Sequence, residues 1–132
     1  MAIQRFNPDT VYKPNRGIYT QVIKAGGTQV HVAGIVPWTT ECELVGKDDM
    51  AAQVGQVLAN IENALAAAGA ERSDVVRITT YTTNIDSYIA EGAPVLIKFF
   101  GNAKPVSTTV EVSRLVHPDW LVEIEATAVI DG

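Results

Sequence analysis

DDMAAQVGQVLANIENALAAAG, residues 48–69, decides the architecture. Its apolar positions Met50, Val54, Val57, Leu58, Ile61 and Leu65 recur at three- and four-residue spacing, so they form one stripe of an α-helix that has to be buried. Asp48 or Asp49 can cap its start, where a carboxylate also meets the positive end of the helix dipole. Gly69 suits the left-handed residue that ends a helix. The following stretch, Asp74 to Thr83, has the other period: Val76, Ile78, Thr80 and Thr82 alternate with Val75, Arg77, Thr79 and Tyr81, as in a strand.

Upstream, Ile18 to Lys24 and Thr28 to Ala33 are β-favouring runs around Ala25, Gly26 and Gly27, and they read as a hairpin. The Pro- and Asn-rich first fifteen residues suit a lead-in or a short edge strand, and Gly34 to Gly46 a loop. Downstream, a second helix is expected from about Asp86 to Phe100, made irregular by Gly92 and Pro94 and ended by Gly101. The final β runs, Ser107 to Leu115 and Trp120 to Ile130, flank a turn with His117, Pro118 and Asp119 and are expected to pair antiparallel. The order ββαβαββ over residues 1–132 predicts one α+β domain, a mostly antiparallel sheet with two helices on one face. Its other face, assigned Thr109, Glu111, Glu123 and Glu125, suits either water or a subunit interface.

Composition narrows the function classes. The chain of 132 residues is 47% hydrophobic and 19% charged, the profile of a globular domain able to hold a core unaided. Lys and Arg number 10 against 15 Asp and Glu, and a net charge of −5 disfavours nucleic acid as the main partner. Cys42 is the single cysteine, and with no CxxC or Cys/His cluster to offer zinc ligands the reading is a reducing, cytoplasmic setting. The N-terminal MAIQRFNPDTVYKPNRG carries charges and prolines where a signal peptide needs an apolar run, and no stretch has the length of a membrane span.

The run PVSTTVEVSRLVHPDWLVEIEATAVI, Pro105 to Ile130, resembles the C-terminal signature of the RidA/YjgF family. Three further pieces agree in order: Gly17 to Gln21, Val32 to Pro37, and Ala51 to Tyr81. The resemblance implies a chorismate-mutase-like fold, a homotrimeric barrel, and small-molecule clefts between subunits. It also implies, for one branch, cofactor-independent hydrolysis of 2-imino or 2-enamino acids to 2-keto acids and ammonia.

Carried over by position, Tyr19 lines the cleft and Glu123 holds or activates water. Ser107, Thr108 and Thr109 form the substrate-binding strand, and Ala33 and Gly34 belong to the second-strand motif. The family arginine that holds a substrate carboxylate falls at Ser107, which offers one neutral hydrogen bond in place of a charged fork. Ala33 replaces a common serine, and Ala93 stands where an asparagine is often found. Arg16, beside Gly17, is a candidate replacement for the missing charge, with a solvated loop arginine as the competing reading. Glu123 and Glu125 alternate with Val122 and Ile124, so a solvated sheet face accounts for them equally. Tyr19 has interface packing as its alternative, and Ser107 to Thr109 ordinary strand propensity. His31, His117 and Cys42 match no family catalytic position; His117 is expected to be exposed in its turn.

Two functions follow as expectations. One is an imine or enamine deaminase-like hydrolase, with aminomuconate-like compounds among its candidate substrates. The other is a non-catalytic trimeric ligand-binding or regulatory protein, since fold does not fix function. RNA cleavage, attached to some relatives, suits neither the acidic balance nor the strand faces.

Overall fold

The computed structural model describes residues 3–14 and 17–131. Strands β1 (Ile3–Phe6) and β2 (Val22–Ala25) form an antiparallel ribbon of their own. Strands β3 (Thr28–Ile35), β4 (Val75–Thr82), β5 (Val106–Glu111) and β6 (Val122–Ile130) make a four-stranded sheet in the order β3-β6-β4-β5. Helix α1 (Met50–Ala67) and the helical run formed by α2 (Ile85–Ser87), a π-turn over Tyr88–Gly92, and α3 (Ala93–Phe100) connect them.

The helix anticipated over residues 48–69 is capped as its ends predict. The Asp49 carboxylate accepts the Ala52 backbone N–H at 3.0 Å. At the other end the Gly69 N–H reaches Ala66 O and the Ala70 N–H reaches Leu65 O, with Gly69 at φ +76°. Met50, Val54, Val57, Leu58, Ile61 and Leu65 are all buried against Ile78, Val122, Ile124 and Ala126. Each such side chain contributes about 1.5–3 kcal/mol relative to exposure, before conformational entropy is counted.

Two strand pairings differ from expectation. Residues before and after Gly26 and Gly27 are not a hairpin: β2 joins β1, and β3 pairs antiparallel with β6. Gly27, at φ +140°, turns the chain so tightly against the Ile130 carbonyl that a β-carbon there would collide with it. Nor do β5 and β6 pair, because β4 lies between them, antiparallel to β6 and parallel to β5. The helical run carries the chain from the end of β4 back to the start of β5, the connection a parallel pair requires. The interruption of that run takes a specific form: the Ala93 N–H bonds to Tyr88 O, five residues back, ahead of Pro94, which has no N–H to give.

Candidate active site

The sheet register sorts the candidate residues onto two faces. Ser107 and Thr109 sit opposite Ile78 and Thr80, on the face the helices cover. Thr109 therefore belongs to the covered face, contrary to its expected place beside Glu123. Thr108 is paired with Thr79 and looks the other way, so it is separated from its two neighbours in sequence.

A cavity of about 280 Å³ lies between β5, β4 and α3. Tyr19, Ser107 and Thr109 supply its polar groups, and Ile78, Leu96 and Phe100 much of its apolar wall. Tyr19 is held there by its neighbour: the buried Thr20 donates its hydroxyl to Lys104 O and its N–H to Pro105 O, tying that segment to the start of β5. Tyr88 closes one side, and burial pushes its hydroxyl above its ordinary pKa. Ala93 also lines this cavity, at the first turn of α3.

Glu123 occupies the opposite face. It lines a second concavity of about 270 Å³ with Gly34, Tyr81, Leu115 and Glu125. Tyr81 is its register partner, and the Tyr81 hydroxyl donates to Glu125 at 2.6 Å. That bond, followed by burial and the charges of Glu125 and Glu123, raises the Tyr81 pKa. Burial raises the pKa of Glu123 as well, and the Glu125 charge adds to it. Gly34, in the irregular stretch of β3 between Val32 and Ile35, presses so close that a β-carbon would run into the Glu123 carboxylate. Ala33 beside it is exposed.

Thus Tyr19 shares a cavity with Ser107 and Thr109, while Glu123 shares one with Gly34, and a single chain does not join the two. Arg16 lies outside the described residues. His31 is exposed on β3, 3.5 Å from the Thr127 hydroxyl. His117 is half-buried rather than exposed, because its ring stacks on Trp120 and its Nδ1 accepts the Asp119 N–H. Cys42 is exposed. Among the described residues no three His, Cys, Asp or Glu are gathered to hold a metal, and no helix is long and apolar enough to cross a membrane.

The family model described as Endoribonuclease L-PSP matches residues 12–130. The chain belongs to this RidA/YjgF family. A RutC family protein of Pyrococcus horikoshii is 40% identical over 85% of this chain and 86% of its own. A RidA/YjgF relative of known structure, a conserved Rid-family protein from Yersinia pestis, superposes with a TM-score of 0.87 at 36% identity, covering 98% of this chain and all of that one. A further relative, from Dermatophagoides farinae, carries the name 2-iminobutanoate/2-iminopropanoate deaminase and is 28% identical over 87% of this chain and 88% of its own. Within this RidA/YjgF chain, sequence reading put Glu125 on the face of Glu123 but overlooked Tyr81; the alternation of β4 contains it, but not the cross-strand register that joins it to the two glutamates.

Proposed function

We propose that the protein hydrolyses a small reactive imine or enamine to a carbonyl product and ammonia, in a reducing cytoplasm and without a cofactor, at sites completed between copies of the chain in a homotrimer. Glu123 carries this reading: a carboxyl group with a raised pKa, seated against Gly34 at an open concavity. A carboxylate whose pKa is raised is a stronger base toward water than an ordinary one, and its acid form can return the proton to nitrogen. Water adds to the imine carbon, the nitrogen gains a proton, and the resulting carbinolamine collapses to C=O with loss of ammonia. The Tyr19, Ser107 and Thr109 cavity on the far face of the sheet supplies the pocket for the substrate body. A second copy is the natural way to bring such a cavity beside Glu123. The relative named as a 2-iminobutanoate/2-iminopropanoate deaminase supports the reaction class.

A non-catalytic ligand-binding trimer is the second reading, favoured by one observation. Ser107, a neutral hydroxyl, stands in the cavity where the family resemblance leads one to expect an arginine. Ammonia release from imines generated in situ, including imino acids and 2-aminomuconate, separates the two. Release by the native protein that disappears in Glu123→Ala supports the deaminase; binding without release supports the alternative. The mass in solution tests the trimer, and a monomer would remove the shared site.

A further inference from the structure

We propose that Tyr81 is the positioning residue of the carboxylate pair on the open face of the sheet: by donating its hydroxyl to Glu125 it leaves Glu123 as the member that takes up and gives back the pair's proton. What that proton is used for rests on the deaminase reading; where it sits does not.

Strand β6 carries Glu123 and Glu125 two residues apart, so both side chains stand on one face. Both line the concavity of about 270 Å³, with Tyr81, Gly34 and Leu115. Two carboxylates this close resist carrying two charges at once, so one of them holds on to a proton. Their partners decide which. In the register Tyr81 lies directly opposite Glu123, and Glu125 opposite Thr79. The Tyr81 ring nevertheless leans along the diagonal, a reach that aromatic side chains have, and its hydroxyl donates to Glu125 at 2.6 Å.

Glu123 receives no hydrogen bond and no ion pair among the described residues. A donor aimed at a charged carboxylate favours the charged form, and the phenol gives that donor to one glutamate only. Burial and the Glu125 charge act in the opposite sense on Glu123, raising its pKa. The other charged or titratable groups about this face are Arg77 on β4, His31 on β3 and Arg114 beside Leu115. None of them bonds to either carboxylate among the described residues: His31 lies by the Thr127 hydroxyl, and the Arg114 Nε donates to Leu115 O. The difference between the two glutamates therefore comes from one hydroxyl. It leaves Glu123 with both oxygens free to meet a ligand, while one oxygen of Glu125 is taken.

The test follows the side-chain carboxyl carbons of isotope-labelled glutamate by NMR through a pH titration of the native protein, Tyr81→Phe and Glu125→Gln. Loss of a signal in Glu123→Gln or Glu125→Gln assigns the pair. In the native protein the upper of the pair's two steps is expected at Glu123 alone. Tyr81→Phe removes one oxygen and keeps the ring; it is expected to divide that step between both carboxyls, so that Glu123 titrates in two phases. Glu125→Gln is expected to return Glu123 to a single step, at lower pH than in the native protein. An upper step at Glu125, an upper step that stays on Glu123 alone in Tyr81→Phe, or a Glu123 step unmoved in Glu125→Gln would overturn the proposal. Ammonia release measured alongside keeps the two readings apart. The expected titrations with no release from any imine would uphold the role of Tyr81 and sink the deaminase, and release with the upper step at Glu125 would do the reverse.

Discussion

The Glu123 carboxylate lies against Gly34 at the point where a β-carbon would stand, so the glycine sets where that carboxylate can be. The obstacle to a larger residue is the end of a flexible side chain, not backbone. Gly34→Ala should therefore leave the fold within about 0.5 kcal/mol of the native stability, the ordinary range for a surface change. It should nonetheless displace the proposed catalytic group, and a misplacement of about 1 Å can cost roughly a hundredfold in rate. A fall in ammonia release with an unchanged melting temperature is the expected result; full activity would remove Glu123 from the chemistry.

Glu123 also makes stability depend on pH, with a definite sign. Its carboxyl pKa is raised in the folded protein by burial and by Glu125, so the native state holds the proton more tightly than the unfolded chain does. The associated stabilisation is present below the ordinary glutamate range and is lost as pH rises through the raised value. Glu123→Gln, which cannot ionise, should gain on the native protein at neutral pH and lose that advantage in acid. Because the group is partly solvated, the gain should be about a few tenths of a kcal/mol. Denaturant titrations at several pH values measure it, and a gain that grows toward acid would contradict the assigned shift.

Much of this was legible in the sequence, for reasons that differ by residue. The α1 stripe shows because helical period and burial coincide over five turns, and its capping groups are local. The irregularity near Gly92 and Pro94 shows because a missing N–H is a property of the residue itself. Strand partners did not show: β6 is inserted between β3 and β4 by contacts distant in sequence, while short loops suggest neighbours pair. For the same reason Glu123 and Tyr19 emerged as candidates, but not their separation onto opposite faces. That depends on which register each strand takes, and one residue of slip exchanges the faces.

Gln53 was hidden by its polarity within an apolar stripe. It is fully buried, donates to Gly46 O and Asp119 O at 3.1 and 2.9 Å, and accepts the Leu121 N–H at 2.7 Å. It thereby fastens α1 to the loop before it and to the turn that leads into β6, the strand carrying Glu123. Gln53→Leu should strand the Asp119 carbonyl and the Leu121 N–H and leave Gly46 O with the Asp49 N–H alone, costing about 2–3 kcal/mol at roughly 1 kcal/mol or more for each stranded group. Denaturant unfolding should show a lower midpoint, and a shift under about 0.5 kcal/mol, the ordinary surface range, would mean that water replaces the side chain.

Ser107→Arg tests the substrate pocket from the other direction. Ser107 is half-buried in the wall of the apolar cavity, beside Tyr19, so an arginine there enters open space and not the packed core. A guanidinium at that point can grip a carboxylate with two charged hydrogen bonds, which should lower KM for a 2-imino acid about ten- to a hundredfold. If the native protein already turns over imino acids through Glu123, the variant should improve KM with little change in kcat. If only the variant turns them over, the scaffold is competent and the natural ligand is one that Ser107 serves better, which would move the ligand-binding reading ahead of the deaminase. No gain from the arginine in either case would mean that the carboxylate does not approach residue 107 at all.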